Sequence, residues 1–177
     1  MGPDYVSRIA EISRPLGIPA DYAAKRGLSL QPEADEARLV LIAMNSDGRE
    51  VRLGPPAARQ WQAMHAAAAG ENIVLLPLSG FRSVARQTEI IREKLSEGKS
   101  LADILRLVAA PGYSEHHTGC ALDVGTPDEP PLEEGFAQTQ AFAWLMRRAS
   151  GFGFHLSYPR NNPHGIAYEP WHWCWRG

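Results

Sequence analysis

Cysteine is scarce in this chain of 177 residues, which has only Cys120 and Cys174. They could form one disulfide at most, and the pattern around them argues against it. If residues 119–125 form a strand, Cys120 faces away from Asp123, because side chains alternate. If residues 171–175 form another, Cys174 faces the same way as His172. Paired in one sheet, the two thiols would stand on opposite faces, where no bridge can form. Two small, partly buried thiols are expected instead. A basic excess is also missing. The chain has 18 Lys and Arg against 20 Asp and Glu, a net charge of -2, so it lacks the basic stripe of a nucleic-acid partner. No apolar run approaches the ~20 residues of a membrane span. Met1-Gly2-Pro3-Asp4-Tyr5 lacks the charged and apolar regions of a signal peptide. A cytoplasmic location is expected, or a periplasmic or cell-envelope one after loss of a leader. Repeats, linkers and low-complexity stretches are missing too. The rest of the composition is ordinary, 44% hydrophobic and 21% charged, and this length suits one domain with a core of its own.

Hydrophobic patterning orders the elements. Val6, Ile9 and Ile12 give a weak helical pattern over residues 4–13, stopped by Pro15 and Gly17. Residues 19–26 read as a second short helix before Gly27. Residues 38–44 read as a buried strand, Asn45-Ser46-Asp47-Gly48 as a turn, and residues 50–53 as the returning strand. The alanine-rich segment 55–69 is helical up to Gly70, with His65 a surface or packing residue. Residues 72–78 form another buried apolar run. Ser83 can cap a helix reaching about Ser96, with Val84, Ile91 and Leu95 on one face. Gln87 falls on that stripe and must find partners there; a backbone bond and a substrate contact fit the pattern equally well. Ser100 and Asp103 resemble a capping box for a helix carrying Leu101, Ile104, Leu105 and Val108, ended by Pro111-Gly112. Residues 127–135 read as a loop, and 139–150 as a helix with Phe142, Leu145, Met146 and Ala149 on one face. Short strands are expected at 154–158 and 166–168, around the loop 159–165, and at 171–175. Helices first, then strands and helices mixed, predict an α+β fold: a single domain with a central, mostly antiparallel sheet flanked by helices.

Two stretches carry chemistry. Ser114-Glu115-His116-His117-Thr118-Gly119-Cys120-Ala121-Leu122-Asp123 places a histidine and an aspartate seven residues apart. The end of the chain supplies Glu169, Trp171 and His172. Two histidines and one carboxylate can hold zinc with a fourth position open, the coordination of a catalytic rather than a structural zinc. Glu169 lies three residues before His172, near enough to act beside the metal without being a ligand. On a strand over 119–125, Ala121 shares the face of Asp123 and leaves room beside the metal. Gly119 removes a side chain near the turn by which His116 approaches. The central sheet is therefore expected to carry the zinc site of a peptidase.

These residues together resemble a family. Ser114, His116, Gly119, Ala121 and Asp123 reproduce S-x-H-x-x-G-x-A-x-D, and Glu169-Pro170-Trp171-His172 reproduces E-x-W-H. Ser79-Gly80-Phe81-Arg82-Ser83, with Gln87 following, resembles S-G-[YF]-R-S-x-x-x-Q. The set is similar to the D-alanyl-D-alanine carboxypeptidases of the VanY type, within the superfamily that includes lysostaphin-type peptidases and hedgehog domains. The likeness covers about residues 73–176. It implies that His116, Asp123 and His172 bind Zn2+, and that Glu169 is the general base. Arg82 would stabilise the carbonyl oxygen or anchor the substrate. Ser114 and Gln87 would hold the free carboxylate of the terminal residue, and Trp171 would wall the pocket. An exopeptidase must recognise a carboxylate, and Arg, Ser and Gln supply donors for one. The implied partner is a peptidoglycan-derived peptide; nothing in the sequence sets an oligomeric state. Residues 1–37 would be a helical arm packed on the domain, and residues 38–177 the zinc D,D-peptidase domain.

The same chemistry with another specificity stays open, as a peptidoglycan endopeptidase or an L,D-carboxypeptidase. A zinc-containing binding domain without catalysis is the other alternative, against which Glu169 and Arg82 stand. Position 117 is often glutamine in such motifs. His117 is not expected to be a ligand, because neighbouring side chains on an extended chain point apart; it would touch substrate or solvent. His164 is expected as a surface loop residue. His155 could face either way, and Tyr158 could reach the site.

Overall fold

A computed structural model describes residues 2–177. Helices α1 (Pro3–Ser13) and α2 (Tyr22–Arg26) precede an antiparallel hairpin of β1 (Val40–Met44) and β2 (Glu50–Leu53). Helix α3 (Pro55–Gly70), strand β3 (Leu76–Ser79) and helices α4 (Val84–Ser96) and α5 (Leu101–Leu107) lead to β4 (Ala121–Gly125). Helix α6 (Gln140–Arg148) and strands β5 (Phe154–Leu156) and β6 (His172–Trp175) follow. The central sheet has the order β3-β4-β6-β5, and each neighbouring pair is antiparallel. The fold is α+β, as the order of patterns predicts. No helix among the described residues is long and apolar enough to cross a membrane.

Helix starts follow local chemistry. Ser83, Ser100 and Thr139 are N-caps whose hydroxyls each accept a backbone N–H at 3.1 Å, from Arg86, Asp103 and Phe142. Each satisfies a donor that the first turn leaves unpaired. Ser100 also donates to Asp103 Oδ2 at 2.6 Å, so the expected box is built from side chains as well.

Alternation along the sheet then separates core from site. Leu122 and Val124 of β4 and Trp173 of β6 join a buried cluster with Trp61 and Met64 of α3 and Trp144 and Leu145 of α6. Fully burying such side chains stabilises the fold by about 1.5–3 kcal/mol each. The intervening residues point the other way. The register sets Leu122 opposite Trp173, and therefore Asp123 opposite His172. A slip of one residue would exchange the two faces. A second buried cluster joins Leu16, Ile18 and Tyr22 to Ile91 of α4 and to Ile104 and Leu105 of α5.

Several expected elements differ. Strand β1 is not buried: Leu41 is 49% and Met44 55% exposed, because β1 and β2 form a separate two-stranded sheet with an open face. The buried stripe of α6 is Ala141, Trp144 and Leu145, whereas Met146 is 56% exposed. Residues 166–168 form no strand; their backbone is held across the cleft instead, by Ala167 N–H to Arg106 O at 2.7 Å. Strand β5 stops at Leu156, short of the expected 158.

Gly119 joins the site turn to β4 with φ +68°, and a Cβ there would stand 3.0 Å from Gly54 N and from Leu39 Cδ2. Left-handed backbone costs a residue with a Cβ roughly 1–2 kcal/mol before any clash. Gly119→Ala is expected to lower the unfolding free energy by about 2 kcal/mol or more in urea titrations. A loss below about 0.5 kcal/mol would show that neither the conformation nor the close approach matters.

Candidate metal centre and substrate cleft

The turn before β4 builds the first half of the site. Ser114 precedes a 3-10 turn, Glu115–Thr118, which Gly119 ends. His116 is 4% exposed, and its Nδ1 donates to Gly80 O at 2.6 Å. A carbonyl only accepts, so Nδ1 carries the proton and the bare Nε2 faces Asp123 Oδ2 at 3.3 Å. His172 enters from β6, with Nδ1 3.1 Å from Asp123 Oδ1 and Nε2 3.0 Å from Glu115 Oε2. The two imidazoles cross edge-on, with centroids 4.9 Å apart. Ligand atoms of His116, Asp123 and His172 all lie within 4.8 Å of one another, and all three residues are buried. This donor set, two imidazoles and one carboxylate, fits a divalent transition metal.

Electrostatics bind the cluster tightly. Burial alone would raise the Asp123 carboxyl, but His116 and His172 outweigh it and hold Asp123 well below the usual carboxylate range. Burial opposes charge on His172 too, yet hydrogen bonds to Asp123 and Glu115 raise it to about 10. His116 is lowered, chiefly by burial.

The remaining expected site residues gather around this cluster. Glu169 is 9% exposed, with Oε2 3.9 Å from His172 Nδ1, and lies outside the three-residue cluster. Burial pushes its carboxyl up to about 7, with His172 lowering and Asp123 raising it. Arg82 places Nη2 3.9 Å from Asp123 Oδ2. Its guanidinium donates to Ser79 Oγ and to Gln87 Oε1, each at 3.2 Å. Gln87 is 1% exposed and donates to Ala109 O at 2.6 Å, so it is bonded to backbone, and it also lines the cleft. The cleft holds about 590 Å³, and Arg82, Gln87, Ser114, Glu169 and Trp171 all face it. Tyr158 lines it as well, with its ring 4.9 Å from that of His172.

Other histidines have other duties. His117 is fully buried, so it meets no solvent, and it is not among the cleft-lining residues. Its Nδ1 donates to Arg82 O at 2.6 Å, and its Nε2 accepts from Gly112 N–H at 3.1 Å. The backbone there is a 3-10 turn rather than extended, which sends the ring inward. Burial lowers it to about 4, which keeps it neutral. His164 is half-buried and donates through Nδ1 to Arg26 O at 2.8 Å. His155 and His65 are exposed. Both cysteines are free thiols. Glu115 escaped the sequence reading; only its position beside His116 could have suggested it.

A buried His–Asp–His cluster flanked by a carboxylate and a guanidinium, at the floor of an open cleft, defines a metallohydrolase. The comparisons narrow that class. Residues 50–177 match the family described as VanY, D-alanyl-D-alanine carboxypeptidase. The bifunctional D-Ala-D-Ala dipeptidase and carboxypeptidase VanXYC of Enterococcus gallinarum is 34% identical over 143 residues, which span 78% of this chain and 74% of that protein. Among solved structures, the LD-carboxypeptidase LdcB superposes with a TM-score of 0.73 at 31% identity, covering 81% of this chain and 70% of that one. A variant of the vancomycin-resistance D,D-pentapeptidase VanY from the VanB-type cassette, in complex with Zn(II), gives 0.61 at 28% identity, covering 83% and 84%. The chain spans only about half the length of two further curated relatives. This chain belongs to the VanY D-alanyl-D-alanine carboxypeptidase family, and it is a metallopeptidase.

His117 holds the Arg82 carbonyl and the turn at Gly112 with one donor and one acceptor. A glutamine amide offers the same pair, and leucine neither. His117→Leu should lose about 1–3 kcal/mol of stability through unsatisfied buried groups, with His117→Gln closer to the parent in thermal melts. Equal losses in both variants would contradict this reading.

Proposed function

We propose that this protein is a zinc-dependent carboxypeptidase that removes the terminal D-alanine from peptidoglycan stem peptides or their precursors. The observation that carries the reading is the convergence of His116, Asp123 and His172 on one point, with Glu169 beside it and outside the ligand set. These three residues would hold the metal. When bound, zinc supplies a Lewis acid that acidifies a water molecule and polarises a carbonyl.

The chain's own residues do the rest. Glu169 takes a proton from the attacking water and delivers one to the leaving amine. Burial raises its carboxyl above the usual carboxylate range, and the charge of a bound cation would pull it down again. Arg82 is held by Ser79 and Gln87 and aims its charge at the oxygen that becomes an oxyanion. Ser114 Oγ makes no hydrogen bond among the described residues and would donate to the carboxylate of the departing residue, with the second amide N–H of Gln87. Trp171 walls the cleft against the peptide. On this reading residues 38–177 are the peptidase domain, and residues 1–37 an arm packed on it.

A second specificity has support in the TM-score of 0.73 to an LD-carboxypeptidase. Mass spectrometry of defined muropeptides separates the two: loss of D-alanine from pentapeptides ending in D-Ala-D-Ala supports the first, and loss only from tetrapeptides the second. Glu169→Gln should retain zinc and fold while cutting hydrolysis by roughly 10²–10⁴-fold. Arg82→Ala should also retain zinc, with a loss on the order of 10²–10³. Parent-rate hydrolysis by Glu169→Gln would rule out this mechanism.

A further inference from the structure

His172 is gripped on both sides by carboxylates, which must play different parts. Asp123 faces the cleft and also meets His116. Glu115 does not line the cleft and lies outside the metal cluster. Its Oε2 meets His172 Nε2 at 3.0 Å and accepts from Ser157 Oγ at 2.5 Å. Its Oε1 lies 3.4 Å from Arg176 Nη2, which also donates to Ser157 Oγ at 3.4 Å. Both carboxylate oxygens are thus tied down behind the imidazole, on the side away from the cleft.

A carboxylate is acceptor-only toward the ring, so Glu115 keeps a proton on Nε2, while Asp123 holds Nδ1, the nitrogen that a metal beside Asp123 would take over. His116 is arranged in reverse, with Nδ1 anchored on Gly80 O and Nε2 bare. Each imidazole therefore has its outward nitrogen committed to an oxygen outside the cluster, and its inward nitrogen turned toward Asp123, where a bound metal would lie between them. We propose that Glu115 is the positioning residue of the metal centre, selecting the His172 tautomer and orientation through which the metal binds, with Ser157 and Arg176 fixing Glu115 itself. One turn would then supply both a ligand, His116, and the support for the ligand that enters from the far end of the chain. Such outer partners typically account for 10–100-fold in metal affinity.

The inference rests on the metal reading above, and its test keeps the two apart. Zinc dissociation constants would be measured by competition with a chromophoric chelator for the parent, Glu115→Gln, Glu115→Ala and Arg176→Ala. The His172 tautomer would be read in zinc-loaded samples from long-range 15N–1H spectra. The expected order is parent tightest, Glu115→Gln intermediate because its amide oxygen still accepts from Nε2–H, and Glu115→Ala weakest by 10–100-fold. The parent and Glu115→Gln should show the Nε2–H form. Arg176→Ala, which leaves the Glu115–His172 bond in place, should lose no more than a few-fold. Zinc affinity in Glu115→Ala equal to the parent would overturn the assignment while leaving the metal site intact. Equal losses in Glu115→Ala and Arg176→Ala, with the tautomer unchanged, would overturn it in favour of a purely structural tie. A parent that binds no zinc would refute the metal reading itself.

Discussion

The fold depends on how one buried carboxylate is compensated. Asp123 sits on a strand residue 3% exposed, where an isolated charge would be costly. It is kept ionised by the His172 imidazole at 3.1 Å and a guanidinium at 3.9 Å, with His116 Nε2 3.3 Å away. Those partners come from three places far apart in sequence: the turn before β4, strand β6 and the segment before α4. Bringing them to one point requires the β4–β6 register, and the register in turn rests on the core face, where Leu122 meets Trp173. Apolar packing on one side of the sheet thus positions charge on the other.

Around that point the chain uses buried polar groups as fixtures. Gly80 O orients His116, and His117 fastens the Arg82 carbonyl to the turn at Gly112. Ser79 and Gln87 hold the Arg82 guanidinium. Each of these groups would be expensive to leave unpaired, so the network is rigid only if complete. The N-terminal segment joins the same economy: Glu33 Oε1 accepts from Val84 N–H at 2.6 Å, and Ala34 N–H donates to His117 O at 2.8 Å. Arg26 donates to Leu105 O at 2.7 Å and to Gly165 O at 3.2 Å, bridging α5 to the loop opposite.

Much of this was legible in the sequence because it is written locally. The caps at Ser83 and Ser100 are short-range patterns. The alternation that places Leu122 inward and Asp123 outward needs five residues of strand. What was not legible depends on partners distant in the chain. Glu115 gains its meaning from His172, 57 residues later. His117 was misread because the extended backbone assumed there is a 3-10 turn. Leu41 and Met44 look like core residues by composition, yet β1 lies in a two-stranded sheet with one face in solvent. In α6 Met146 is exposed and Trp144 is buried, since a stripe of small and large apolar residues leaves the helix rotation to its tertiary neighbours.

The central claim is that two histidines and one aspartate of this chain form a zinc site that includes no thiol. X-ray absorption spectroscopy on the zinc-loaded protein tests it most directly. The account predicts imidazole and oxygen scattering with two histidines and no sulfur in the first coordination sphere, unchanged when Cys120 and Cys174 are replaced by serine. A sulfur ligand, or a spectrum unaltered by His172→Ala, would contradict it.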